Sequence, residues 1–251
     1  MPNTVLYEDA SHSNILLEES LAGDASVQTN QHVIVHEGGA LLLDPGGHKI
    51  HGKVFSDLRK ALGEGRLERI FLSHQDPDVM AGISAWLRTS DVTAHTPAIW
   101  MRFLPHYGLE AEMAARIHGI PDGGMTLDLR GCQLRVIPAH FLHSPGNFQI
   151  YDPVSKILYS GDLGASIGAP DVAVADFDDH VQFMAGFHRR YMAGRRAMQA
   201  WARLARGLDI ELIAPQHGAF FRGKPMVERF ISWCEQLECG SDLLGPYRVP
   251  A

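Results

Sequence analysis

His74-Gln75-Asp76-Pro77-Asp78-Val79 follows directly on an apolar run, Arg69–Ser73, that reads as a short strand. One imidazole and two carboxylates thus fall where a strand gives way to a loop. Loops at strand ends, carried on a rigid sheet, are the usual place for binding groups. In an extended stretch, alternate residues lie on one side, so His74, Asp76 and Asp78 would face one centre. Pro77 suits the first turn of a helix, because its missing N–H costs nothing there; the helical pattern runs on to about Arg88. The plain alternative is that Asp76 or Asp78 only caps that helix, a role Asp fills well.

Three other strand-like runs end the same way. Val136–Phe141 leads to His143, Ile157–Ser160 to Asp162, and Leu212–Pro215 to His217. The chain has 14 His, so no single one carries much weight; the repeated placement does. Three imidazoles and three carboxylates are too oxygen-rich for a structural zinc site, which prefers thiolate and imidazole. Such a mixture with open positions suits iron or manganese, with zinc as the alternative. A carboxylate such as Asp162 can bridge two ions, as two-metal sites require.

Outward from these stretches the chain alternates strands and helices. Gln31–His36 and Ala40–Asp44 flank a Gly-containing hairpin signal, and Ile50–Leu62 has helical spacing. Strand patterns return at Met125–Asp128, Gln133–Pro138, Phe148–Tyr151 and Lys156–Tyr159. A long helical stretch runs from Asp176 to about Arg206, with a break expected near Gly186 or Gly194. A strand at Ile210–Ala214 and a helix from Pro225 to about Cys239 follow. This grammar implies sheet layers covered by helices. With no linker or repeat, residues 1–251 read as a single domain.

Composition narrows the function classes. At 45% apolar and 20% charged residues, the 251-residue chain is neither disordered, collagen-like nor a coiled coil. A net charge of −7 lacks the footprint of a nucleic-acid binder. Six Arg lie between His188 and Arg206, a pattern read first as a solvated helix face. Cys132, Cys234 and Cys239 give no disulfide framework and fit a reducing compartment. Met1–Asp9 has no apolar h-region, and no apolar run is long enough to span a membrane. The expectation is a cytoplasmic protein with no membrane or nucleic-acid partner.

Taken together, the motifs resemble the metallo-β-lactamase superfamily over nearly the whole chain. Leu41-Leu42-Leu43-Asp44-Pro45-Gly46 is similar to its early hydrophobic-Asp-x-Gly turn, and His74–Val79 stands in the place of H-x-H-x-D-H. His143-Ser144-Pro145-Gly146-Asn147 resembles H-[ST]-P-G-H, Ser160-Gly161-Asp162 the strand-end G-D, and Pro215-Gln216-His217-Gly218 the last His-Gly. The resemblance implies an α+β fold, the αββα sandwich, with a metal site at one edge of its two sheets.

Asp76 and Val79 stand where hydrolytic members carry histidines, and a carboxylate at the first of these marks the flavodiiron branch, which usually has Glu there. By that resemblance one iron takes His74, Asp76, His143 and bridging Asp162. The other takes Asp78, Asp162 and His217, and Val79 leaves a ligand position vacant. Flavodiiron enzymes add a flavodoxin-like FMN domain, which is not in this sequence. The resemblance is therefore to stand-alone oxygen-binding diiron proteins. It implies two iron ions, dioxygen as ligand, a role in O2 sensing or reduction, an outside electron donor or signalling partner, and a possible homodimer. The competing expectation is a dinuclear metal hydrolase of thioester, lactone or phosphodiester substrates, with Asp78 positioning the attacking hydroxide.

Near this site, Val79, His140 and Tyr191 are the candidates for supporting roles. His140 is read as a residue behind His143. Tyr191, in an aromatic segment similar to one near the flavodiiron iron, is read either as a hydrogen-bond donor to bound ligand or as an apolar-face residue. His188 is read as a surface residue. The pairs His48/His51 and His32/His36 have metal-like spacing but no evident partners, and are assigned surface or turn roles.

Overall fold

The computed structural model describes residues 3–17 and 27–250. The first sheet contains β1 (Thr4–Glu8), β2 (His12–Leu16), β3 (His32–His36), β4 (Gly39–Leu43), β5 (Arg66–Phe71), β6 (Thr93–Pro97) and β7 (Ile117–Ile120), in that spatial order. From β4 onward its strands are parallel. Parallel neighbours need crossovers; these are α1 (His51–Leu62), the short α2 (Pro77–Met80) with α3 (Ile83–Thr89), and a 3₁₀ segment Ala98–Tyr107 with α4 (Ala111–Ala114). Every residue of β4 is buried, as expected for a strand covered on both faces.

The second sheet holds β8 (Met125–Leu129), β9 (Cys132–Pro138), β10 (Phe148–Asp152), β11 (Ile157–Gly161), β12 (Leu212–Pro215) and β13 (Phe221–Arg222), in the order β13-β12-β11-β10-β9-β8. Its helices are α5 (Phe177–Tyr191), α6 (Arg195–Ala205) and α7 (Lys224–Gln236). The turn from β8 to β9 uses Arg130 and Gly131, both at positive φ, as a two-residue hairpin turn requires.

Three apolar cores make this an αββα sandwich. Leu16, Ile34, Leu41 and Phe71 meet Leu134, Phe148, Ile150 and Tyr159 between the sheets. Val54, Leu58, Ile83 and Trp86 cover the outer face of the first sheet. Met184, Met198, Trp201 and Phe230 cover that of the second.

One element departs from the sequence expectation, and a second is decided between its two alternatives. The helix expected from Pro77 to Arg88 is split, because the Gly82 amide leaves the helical ladder and donates to Gly46 O at 3.1 Å. A Cβ at position 82 would stand 2.5 Å from that oxygen, so only glycine allows the approach. The long helical stretch breaks before Gly194 and not at Gly186. There the backbone is captured from outside: the Ala193 amide donates to Phe141 O, and the Ser241 amide to Ala193 O. The six-Arg stretch is the solvated face expected, with Arg206 paired to Glu228 and Glu235 and Arg195 bound to the carbonyl of Gln236. Among the described residues no helix is long and apolar enough to cross a membrane.

Candidate metal centre

The ends of β4, β5, β11 and β12 lie together at one edge of the sandwich, and the loops that follow them carry the polar residues. His74 enters from β5, Asp162 from β11, His217 from β12, and His143 from the loop after β9. Their Nε2 atoms surround the Asp162 carboxylate: His143 lies 2.9 Å from Oδ2, and His74 and His217 lie 3.7 and 3.6 Å from Oδ1.

Asp76 sits at the N-cap of α2 but makes no capping bond. Its Oδ2 instead faces His143 and His74 at 3.3 and 3.7 Å. The extended run expected through residue 78 ends at Asp76, because Pro77 starts a helix. That helical turn carries Asp78 away from Asp76 and to within 3.4 Å of His217 Nε2. The site therefore has two lobes sharing Asp162. Ligand atoms of His74, Asp76, His143 and Asp162 all lie within 4.8 Å of one another, and Asp78 with His217 forms the other side.

Two of the three rings are aimed from behind. His74 Nδ1 is 2.9 Å from Ser73 Oγ, which donates to Asp44 Oδ2; Asp44 Oδ1 accepts from the Ser73 amide. The His217 Nδ1–H donates to Gln28 O at 2.6 Å. The loop that bears His143 is held by Asn147, whose Nδ2 donates to Leu142 O at 2.6 Å. Burial pushes the Asp44 carboxyl up to about 6. Asp162 is buried too, which alone would raise it, yet the three imidazoles hold it well below the usual carboxylate range. Burial opposes charge on His143 and His217, but Asp162 and its fellow carboxylates raise them to about 10 and about 9. His74 Nε2 and Asp162 Oδ1 are buried without a hydrogen-bond partner. Buried polar atoms are normally satisfied; with Ser73 Oγ accepting from Nδ1–H, His74 Nε2 presents a lone pair as Asp162 Oδ1 does, and two convergent unpaired lone pairs fit a cation between them.

Of the supporting candidates, Tyr191 stands beside the site: its ring is 5.7 Å edge-on from His143 and stacked on Phe187. It is 56% exposed, so it is no apolar-core residue. His140 turns away, toward Asp122 O at 3.0 Å and the Phe148 ring. Val79 is fully buried in the outer apolar core with Met80, Ile83 and Trp86.

His188 corrects the surface role expected for it. It is 0% exposed, its Nε2 accepts from the Gly164 amide at 2.9 Å, and its Nδ1–H donates to Met184 O. Burial lowers it to about 4, so it is a neutral post bracing the Asp162-Leu163-Gly164 turn. Phe177, His180, Met184 and His188 are the buried residues of α5, and that helical stripe is the signal that locates it. His32 is also buried, against the ring of Tyr159, and not at a turn or surface.

The fold and the edge site are those of a metallo-β-lactamase-like metal protein. The model of the ODP family beta lactamase matches residues 27–218, and the chain belongs to that family. Two structures of the chemotaxis sensor ODP are similar throughout. One, a peroxy diiron species, is 38% identical with a TM-score of 0.87, over 97% of this chain and 98% of that one. The other, the apo state from T. denticola, is 39% identical with a TM-score of 0.85, over 96% and 97%. A variant flavo di-iron protein from Thermotoga maritima shares the fold at 17% identity and a TM-score of 0.74, over 93% of this chain and 60% of that one. A putative diflavin flavoprotein from Synechocystis sp. is 25% identical over 221 residues, 83% of this chain; the chain spans 36% of that relative's length.

Proposed function

We propose that residues 1–251 act as one metallo-β-lactamase-like unit that holds two iron ions and binds dioxygen there, as an oxygen sensor. His74, Asp76 and His143 hold one iron, Asp78 and His217 the other, and Asp162 is shared. The observation that carries this reading is the shared carboxylate, with three Nε2 atoms around it and one oxygen left without a donor. Three carboxylates offset most of the charge of two ferrous ions, and an oxygen-rich donor set with imidazole suits iron. Bound iron supplies the electrons that dioxygen binding draws on. The chain's own residues aim the rings: Ser73 and Asp44 hold His74, the Gln28 carbonyl holds His217, and His188 braces the turn behind Asp162. Tyr191, exposed beside His143, stands at the solvent side of the centre. The likeness to the chemotaxis sensor supports sensing. Output or re-reduction by a separate partner and action in the cytoplasm complete the proposal, and pairing of two copies is a property to measure by sedimentation.

The test is elemental analysis of protein purified without oxygen from cells supplied with both iron and zinc, followed by admission of air. Two irons per chain and an absorption change in air are expected. Retained zinc with no response to air overturns the reading. Turnover of a thioester or phosphodiester panel, abolished in Asp78→Ala, would move the site to hydrolysis.

A further inference from the structure

A second group of ligands lies at the opposite end of the sandwich. His12 and His36 face each other as a directly paired couple across β2 and β3. Cys132 opens β9 in the other sheet. Asp152 marks that end, since it pairs with Ile157 at the start of β11, whereas Asp162 follows the last residue of the same strand. Candidate ligand atoms of His12, His36 and Cys132 all lie within 4.8 Å of one another, and the two Nδ1 atoms are 3.1 Å apart. Zinc–nitrogen bonds of about 2.0–2.1 Å in a tetrahedral arrangement place two imidazole nitrogens about 3.3 Å apart, so the pair already has that bite.

The residues behind the cluster prepare it. His12 Nε2 is 2.7 Å from Asp152 Oδ2, which also accepts from Asn14 Nδ2 at 2.8 Å and Ser155 Oγ at 2.9 Å. Asp152 is fully buried, and burial would raise its carboxyl, but the bonds from His12 and Asn14 hold it below the usual range. With Asp152 Oδ2 accepting from His12 Nε2–H, it is Nδ1 that faces His36. This carboxylate behind an imidazole is the arrangement that orients metal-ligating histidines. Burial, with Asp152 and Asp128 adding to it, pushes the Cys132 thiol up to about 12. Cys132 is a buried free thiol, and a cation that binds its sulfur takes the place of its proton.

We propose that His12, His36 and Cys132 form a second metal site, taking a zinc-like divalent cation through two imidazole nitrogens and one thiolate. The Cys132 proton leaves to solvent as the metal–sulfur bond forms, and no electron is transferred. His36 is the partly exposed member of the cluster, and His12 and Cys132 are buried. Nitrogen and sulfur donors set this site apart from the oxygen-rich centre at the other end, so the two select different metals. With two ligands from the first sheet and one from the second, the bound cation ties the sheets together, independently of what the iron edge binds.

The test titrates the iron-loaded protein with Co2+ without oxygen, and in parallel with Zn2+. Expected are one cobalt per chain bound without loss of iron, tetrahedral d–d bands, and a thiolate-to-cobalt charge-transfer band. The bands disappear in Cys132→Ser, and affinity falls at least tenfold in His36→Gln. Zn2+ raises the melting temperature of the wild type and not of Cys132→Ser. Circular dichroism and iron content check that each variant is folded. Should Cys132→Ser fail to fold, His36→Gln, changed at a partly exposed ring, decides alone. No cobalt beyond the iron edge, or the same uptake and spectrum in the folded variants, overturns the proposal and leaves a plain hydrogen bond between two imidazoles.

Discussion

The two ends of the sandwich use the same side chains in opposite orders. At the candidate metal edge Asp162 lies in front of three imidazoles and faces their Nε2 atoms. At the far end Asp152 lies behind one imidazole and is itself satisfied by Asn14 and Ser155. A carboxylate in front is a ligand that neutralises the ion and can be shared; a carboxylate behind orients a ring and leaves the charge to be met by another donor. The first arrangement calls for hard, highly charged or paired ions, the second for a single borderline-soft one.

Asp162→Ala tests the front arrangement most severely. It removes the one carboxylate common to both lobes, so iron content should fall from two per chain to near zero, read by elemental analysis of anaerobically purified protein. Asp78→Ala should be milder. It removes a donor from the lobe it shares with His217 and leaves His74, Asp76, His143 and Asp162 in place, so about one iron per chain should remain. Equal loss in both variants would break the two-lobe description.

His188 sharpens the comparison in terms of stability. Replacing it with Ala opens a space beside Met184 and Trp233 and strips the Gly164 amide of its acceptor. A loss of about 2–4 kcal/mol is expected from urea denaturation of the metal-free protein, as for other buried large-to-small changes that leave a polar group unpaired. The same ring makes the fold acid-sensitive. Its folded value, about 4, lies below the ordinary 6.5, so the unfolded chain takes up the proton first. Stability is fully present above about 6.5 and is lost as pH falls from there toward 4, by about 3 kcal/mol for this residue. His32, lowered by burial to about 3, acts in the same direction. In His188→Leu the acid slope of stability should be visibly shallower.

The candidate metal edge was legible in the sequence because three of its residues follow strands directly: His74, Asp162 and His217 each come within a few residues of a strand's end, in a fixed order. The far end was not, because its ligands belong to three separate strands. Spacing alone pairs His36 with His32, four residues away, whereas its structural partner is His12, brought opposite by the register of β2 and β3. Cross-strand register is a tertiary property, set by turns and by which face is buried, and no spacing in one strand encodes it. His188 was hidden for another reason. The arginines beside it give its neighbourhood a polar composition, while the buried stripe of α5 that contains it is apolar only when read at helical spacing.

Tyr191 should give the smallest effect and the most local one. Its ring stacks on Phe187 and meets the edge of His143, contacts that Phe would keep, and with more than half its surface exposed there is little burial to lose. Tyr191→Phe should therefore leave iron content and urea midpoint unchanged. If the hydroxyl donates to whatever occupies the solvent side of the centre, only the absorption change on admitting air, in size or lifetime, should respond. Tyr191→Ala separates that role from packing, because it removes the ring against His143 as well as the hydroxyl. A variant with Phe that behaves as wild type in air, beside a variant with Ala that does not, would assign Tyr191 to holding the His143 ring and not to the ligand.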